Sequence, residues 1–539
     1  MGSLTKRIIV NNIKLPTDAS IQEAFSVSES RLRHAGIRFA DAEFAIYRKS
    51  VDARVRDDIK FVYSVLVTAR FSNLNERTLS IAGASAEKSE MPVPQFGDEA
   101  LSGRVVVVGS GPCGLFCALM LAENGYAPIV LERGGSVSER IAAIDRFKKT
   151  RVLDTDTNIQ FGAGGAGTFS DGKLITRIND GMSSYVLGKF VEFGATEEIL
   201  YSAKPHIGTD VLCGIIDKMV ARIEQLGGDV RFHTTFLNAN FSMQRITEIQ
   251  TNNGKIEAGA LVLALGHSAR DTYETLISSD LKIEAKNFSV GMRIEHLAET
   301  IDRGMYGKMA GDKNLGHAEY ALSYNTKERG VYTFCMCPGG EVVAATSETG
   351  GVVVNGMSES RRDGRNSNSA VVCSIFREDY GADPRAAIAM QRKIERAAFV
   401  AGGSDYSAPI ITFGDFADGK LSREPSSVLP TYMNGAGVKL ASPYDYLPGI
   451  VCDSIKNAIF SFDKKIHGFA GRDAVLTGAE TRTSAPLRIL RDNETRLAFG
   501  YDNLYPAGEG AGYAGGITSA AIDGIRTALA IMKKYKSKN

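Results

Sequence analysis

The sequence predicts an α/β protein, α+β overall. It should comprise a Rossmann-type nucleotide-binding domain, a mainly antiparallel substrate domain inserted into it, and a small N-terminal α+β module. Three observations predict this. A strand, glycine loop, helix and second strand follow one another across residues 104–132. Short alternating strands replace the βα pattern from about 286 to 470, and a βα-type segment returns near the C-terminus. Glycine supplies 56 of 539 residues, with only 15 prolines and no Gly-X-Y period. The surplus therefore marks sharp turns or close backbone approach within a globular chain, not collagen or low complexity.

The N-terminal module is expected over residues 1–100. Residues 7–10 read as a short strand and 19–34 as a helix, with Asp18 as its N-cap. Ile59, Phe61, Tyr63, Val65 and Val67 alternate as a half-buried strand does, and 43–47 is its expected partner. Residues 84–100 are polar and proline-containing and read as a linker. Lys49, Arg54, Arg56 and Lys60 read as a solvated face.

Composition excludes several classes. Lys plus Arg is 63 against 62 for Asp plus Glu, so the broad basic footprint of a nucleic-acid binder is missing and no nucleic-acid partner is expected. The seven cysteines have no zinc-finger spacing, so no metal is expected and a reducing compartment is the simplest reading. No apolar run approaches the ~18 residues that span a bilayer. The first residues lack a secretory apolar region, and Lys6 stands where a myristoylation site wants Ser or Thr. A cytoplasmic location with no membrane span is expected.

At 104–108 an apolar, β-branched run suits a buried parallel strand. Gly109, Gly111 and Gly114 follow it and open a helix over 112–123, with Pro112 at its first position. A second strand, 128–131, ends in Glu132 and Arg133. The three glycines serve different needs. Gly109 permits the tight turn, Gly111 lets the backbone approach a pyrophosphate, and Gly114 lets helix and strand pack closely. The helix N-terminus holds phosphates through its unpaired N–H groups. Glu132 is expected to accept from the adenosine ribose hydroxyls. Further glycine-rich stretches occur at 160–173, with Gly164, Gly165, Gly167 and Thr168, at Gly266, and at 504–517, with Gly508, Glu509, Gly516 and Ile517. Four clusters (109–114, 134–135, 162–172 and 508–516) hold fifteen of the 56 glycines.

A dinucleotide domain whose last strand–loop–helix returns after a long insertion resembles the FAD-binding fold of the glutathione-reductase and p-hydroxybenzoate-hydroxylase type. The stretches QFGAGGAGTFSDGKL, PHIGTD, ALGHSARDTYE, VGMRIEH, FCMCPGG, TGAETRTSAP and LYPAGEGAGYAGGI are similar to a bacterial family of FAD-dependent, "NAD-utilizing" dehydrogenases. The resemblance implies non-covalent FAD and redox chemistry over nearly the whole chain. The changes of pattern along the chain bound the FAD domain at 101–285 and 470–539, and the substrate domain at 286–469. The resemblance also implies that Glu509 bonds the ribityl or pyrophosphate region, and that the helix near Ile517 points its N-terminus at the flavin.

The expected activity is an FAD-dependent oxidoreductase transferring hydride at flavin N5 to or from a small-molecule substrate. Lys173, His206 and Arg482 are the candidate catalytic residues: a cation where reduction puts negative charge, a proton carrier, and a carboxylate- or phosphate-binding guanidinium. His267, which follows the 261–265 strand, and Arg293, on a strand of the insertion, are weaker candidates. Cys335 and Cys337 form a CxC pair on an expected strand, open to redox or purely structural use. No second GxGxxG follows a strand. NAD(P)H, if it is a transient donor, must therefore bind without its own Rossmann domain; an electron-transfer partner protein or a quinone is the other source. An electron-transfer or RNA-modification flavoprotein without its own small-molecule substrate is the alternative reading.

Overall fold

The computed structural model describes residues 5–87, 91–175 and 181–537. Val105–Val108 is four valines, all buried, at the centre of a five-stranded parallel sheet. Ile129–Leu131 and Asp229–Arg231 lie on one side of it; Ala260–Leu263 and Leu504–Pro506 lie on the other. The sheet thus joins strands some four hundred residues apart. Helix Pro112–Glu123 covers one face. It is apolar on every side because the sheet, helix Thr209–Gln225 and helix Ile517–Lys534 surround it.

The two helices that reach the glycine loops cross closely. A Cβ on Gly524 would lie 2.1 Å from the Cys113 carbonyl oxygen, so only glycine fits there.

The mainly antiparallel part is a seven-stranded sheet, whose last pair, Ala408–Thr412 with Val438–Leu440, runs parallel. Its order is Ser323–Asn325, Gly330–Cys337, Asn366–Ile375, Phe288–Leu297, Val475–Glu480, Ala408–Thr412 and Val438–Leu440. Phe288–Leu297 and Asn366–Ile375 are buried almost throughout, as central strands must be. Helix Gly449–Asp463 packs on them. The insertion was expected to end at 469, yet Val475–Glu480 pairs with both Phe288–Leu297 and Ala408–Thr412. A short apolar strand carries no mark of which sheet will take it, and here the antiparallel one does.

The N-terminal module is a four-stranded sheet in the order Phe39–Asp52, Lys60–Phe71, Thr5–Pro16 and Ala84–Ala86, with helix Ile21–His34 across it. Three expectations change here. The helix is capped by Ser20 in a capping box with Glu23, not by Asp18. The 84–100 segment is not a free linker: Ala84–Ala86 pairs with Thr5–Pro16, and Gly97 and Glu99 bond to Met532 and Lys536 at the end of the C-terminal helix. The basic cluster is a solvated face at Arg54 and Arg56, which are exposed, but Lys49 and Lys60 are half-buried. Lys49 exchanges backbone bonds with Tyr201 and Ala203, its ammonium sits 4.2 Å from the Phe61 ring centre, and Arg56 donates to the Lys465 carbonyl at 2.9 Å. Among the described residues no helix is long and apolar enough to cross a membrane.

Candidate functional site

One deep cleft, with about 1760 Å³ of empty space including its open mouth, lies where the two sheets meet. Glycine loops build its walls by touching one another. Gly109 adopts φ +103, and a Cβ there would strike the Ala264 oxygen at 2.3 Å. A Cβ on Gly114 would lie 1.9 Å from the Gly109 oxygen, so Gly114 is a packing residue behind the cleft. One on Gly165 would reach the Gly111 Cα at 2.9 Å, and one on Gly510 the Gly266 nitrogen at 2.7 Å.

Gly111 differs. Its φ is −69, and a Cβ would meet nothing closer than 3.9 Å. It caps helix Pro112–Glu123 with no side-chain bond, so the first-turn N–H groups face the cleft uncapped. Gly516 caps helix Ile517–Lys534 in the same way. Two helix N-termini without side-chain caps and an open cradle at Gly111 fit a dinucleotide pyrophosphate and a flavin ring.

Gly109, Gly111, Pro112, Glu132, Arg133, Gly165, Gly167, Gly266, Glu509, Gly516 and Ile517 line the cleft. Thr168, Gly164 and Gly508 lie behind it. A Cβ on Gly164 would meet the Thr168 hydroxyl at 2.1 Å, and one on Gly508 the Cys113 Cβ at 2.8 Å. Glu132 is fully engaged: its carboxylate accepts from Ser110 N and Oγ at 3.1 and 2.7 Å, Gly134 N at 3.0 Å and Gly162 N at 2.9 Å. It ties three glycine loops together, and a ribose hydroxyl reaching it must share or displace one of these donors. Arg133 stacks 4.5 Å from the Phe161 ring centre and donates to Asp271 and Thr272.

Of the catalytic candidates, Lys173 and Arg482 are on the wall and His206 is not. Lys173 Nζ donates to Asp171 Oδ2 at 2.6 Å and to the Met336 carbonyl. Burial opposes its charge, but Asp171 more than offsets this and holds the ammonium above its usual range. Asp171 in turn takes Ser358 and Arg362. His206 bonds the Ser360 carbonyl at 3.2 Å, and burial, then Arg362, push its pKa down. Its backbone bridges that of Lys173, so it sits behind the wall.

Arg482 is paired with Glu395 at 3.1 and 3.2 Å, not with neighbouring Glu480. Arg270 grips the same carboxylate at 2.7 and 2.8 Å. Glu480 holds Arg293, which is wholly buried with every donor nitrogen bonded, so Arg293 cannot reach a ligand. His267 does line the cleft; burial, then Arg482 and Arg270, push its pKa down to about 3, so its imidazole is neutral. Burial draws Glu509 up to about 7, with Lys286 opposing.

Three residues that shape the site escape sequence reasoning. Arg140, fully buried, donates to the carbonyls of Asn158, Ile159, Gly162, Ala163 and Gly165, and so sets the curve of the 160–173 loop. Burial lowers its pKa to about 10. Asp523 accepts from Gly508 N at 2.7 Å and pairs with Arg491 and Arg496. Glu395 carries the Arg270–Arg482 pair. Each lies on a helix outside the loop it serves, Asp523 fifteen residues from Gly508 and Glu395 more than eighty from Arg482, so no local motif points to it.

Residues 287–483 match the family described as "FAD-dependent protein, C-terminal domain-like". An uncharacterised protein of Clostridium beijerinckii is 42% identical over 538 residues, covering 98% of this chain and 99% of that one. The chain belongs to this FAD-dependent family. Its cofactor is FAD. Solved structures that resemble this FAD-dependent protein are distant. CtdE in complex with FAD is 11% identical, covering 80% of this chain and 84% of that one, with a TM-score of 0.31. A geranylgeranyl bacteriochlorophyll reductase-like protein of Thermoplasma acidophilum is 10% identical over 79% and 78% of the two chains, with a TM-score of 0.33. The L-amino acid deaminase of Proteus vulgaris is 11% identical over 84% and 98%, with a TM-score of 0.32.

Proposed function

We propose that this FAD-dependent protein is an oxidoreductase of the dehydrogenase or reductase type, acting on a small molecule at the cleft. The observation that carries the reading is the convergence of two uncapped helix N-termini, three glycine loops and the cationic Lys173 on one cavity. When bound, FAD supplies a site that accepts or gives up an electron pair with a proton. In this reading Gly111, Pro112 and the first turn of their helix hold the pyrophosphate, with Gly109 shaping the turn. Glu132 and Arg133 border the ribose. Gly165, Gly167, Gly516 and Ile517 flank the ring system, and Gly266 closes the opposite wall.

The remaining groups divide the work by charge. Lys173 is held cationic by Asp171 and offsets negative charge that grows beside it during reduction. Arg482 borders the cleft with two nitrogens on Glu395 and the third on Ser347 Oγ, so an anionic substrate group would share or displace one of these bonds. Neutral His267 can donate or accept one hydrogen bond but holds no charge. Glu509, drawn to about 7, can hold or release a proton at working pH. The finer role of NAD(P)H as donor is tested by anaerobic titration of the purified yellow protein with NADH and NADPH. Bleaching of the flavin by either one supports a pyridine-nucleotide enzyme. Its persistence with both directs the search to a protein or quinone partner.

A further inference from the structure

We propose that Cys335 and Cys337 form a redox-active dithiol that exchanges an electron pair with the flavin across this cleft. The proposal rests on the flavin reading above and extends it to a second redox centre.

The geometry comes from an irregular strand. In the pairing of Gly330–Cys337 with Asn366–Ile375, Phe334 lies opposite Ala370 and Cys337 opposite Asn368. Three steps on one strand therefore match two on the other, which is a β-bulge at Cys335 and Met336. Cys335 takes φ +44 there, a left-handed conformation that non-glycine residues adopt only when their surroundings impose it. The bulge places Cys335 on the cleft wall beside Lys173 and leaves Cys337 fully buried behind it.

Two cations grip this short segment. Arg293 donates to the Cys335 carbonyl at 2.8 Å and lies 3.9 Å from the Cys337 sulfur. Lys173 donates to the carbonyl of Met336, the residue between the two cysteines. The Cys337 thiol points back at the Cys335 carbonyl, 3.3 Å away. Gly356 leaves room for this: a Cβ there would stand 2.8 Å from the Cys337 sulfur and 2.2 Å from Arg293 Nη1. Hydrogen bonding from Cys337 favours the Cys335 thiolate. Burial opposes it, and Arg293 and Lys173 add to the lowering, so its pKa falls below the usual thiol value. Cys337 moves the other way and stays protonated. A thiolate on the wall with a protonated partner behind it is the arrangement that thiol–disulfide chemistry needs. The other five cysteines lie off the cleft or, like Cys113, are buried with their pKa values raised.

The step balances within the protein and its cofactor. The Cys335 thiolate and the Cys337 thiol join in one S–S bond. The Cys337 proton and two electrons pass to oxidised FAD, leaving the anionic, two-electron-reduced cofactor. Run in reverse, reduced FAD opens the disulfide. The protein thereby stores a second electron pair beside the flavin.

The test is an anaerobic dithionite titration of air-oxidised holoprotein, with wild type compared with Cys337→Ser and Cys335→Ser. The expected result is two electron pairs consumed per flavin in the wild type and one in either variant. A second measurement needs only the wild-type protein. Alkylation followed by mass spectrometry of the peptide spanning 335–337 should show a disulfide after air oxidation and two alkylated thiols after reduction. A flavin-loaded wild type that takes one electron pair and keeps both thiols alkylatable would overturn the dithiol while leaving the flavin reading standing. A preparation without visible flavin absorbance would remove both.

Discussion

Alanine at Gly111 and alanine at Gly165 should do opposite things, although the two glycines face each other. At Gly165 the backbone is left-handed, at φ +63, and a methyl would sit 2.9 Å from the Gly111 Cα. The conformation costs about 1–2 kcal/mol for an L-residue, and crowding the packed loop costs a further ~1–3 kcal/mol. Gly165→Ala should therefore destabilise the flavin-free protein by about 2–5 kcal/mol. At Gly111 the backbone φ is −69 and the methyl has 3.9 Å of clearance. Losing glycine from the cap costs roughly 0.5–1 kcal/mol, and stiffening the unfolded chain returns a similar amount. The flavin-free protein should be nearly unchanged. The methyl does, however, enter the cleft where the proposed function seats the pyrophosphate. A comparable ~1–3 kcal/mol clash weakens FAD binding about 5- to 150-fold. The assay is paired: melting temperature of flavin-free protein, and FAD bound per chain after dialysis. Full flavin retention in Gly111→Ala, or an unshifted melt in Gly165→Ala, would refute the reasoning.

Four other perturbations have defined outcomes. Glu395→Gln leaves Glu348 as the counter-charge that Arg270 and Arg482 must share, and should cost at most ~3–5 kcal/mol, read as a lower melting temperature. Arg140→Met strips the donor from five loop carbonyls, with the relief of unburying a cation as partial offset; a loss of ~3–5 kcal/mol and of bound FAD is expected, and unchanged flavin content would contradict the loop assignment. Glu509 has its folded pKa raised from 4.5 to about 7, so its ionisation penalises the fold as pH rises through that window. Glu509→Gln should therefore stabilise the flavin-free protein by ~1–3 kcal/mol near pH 8 and leave it unchanged near pH 4, as followed by thermal melts across pH. His267 acts with the opposite sign: its folded pKa lies near 3 against an ordinary 6.5, so the neutral imidazole contributes stability that is lost as pH falls from 6.5 toward 3. His267→Gln should flatten that acid limb in a pH series of melts, and an unchanged slope would mean the imidazole is not desolvated in the fold.

Local rules were enough where one element carries its own signal. The four valines at 105–108, the glycine spacing behind them and the helix at Pro112–Glu123 were all legible, because strand burial, turn conformation and helix opening are properties of adjacent residues. The glycine surplus also had its meaning in the sequence: the clusters at 109–114, 162–172 and 508–516 meet one another across the cleft. Partner choice was not legible. Arg482 chose Glu395 over nearby Glu480, and Glu480 chose Arg293 from a strand nearly two hundred residues away. Val475–Glu480 joined the antiparallel sheet, and His206 turned away from the cleft while Cys335 turned into it. The sequence alone determined where backbone would turn sharply and crowd backbone, because glycine's conformational freedom is local. Only the tertiary structure decided which charges face the cleft, because a buried charge is settled by whichever opposite charge the fold brings within hydrogen-bond reach.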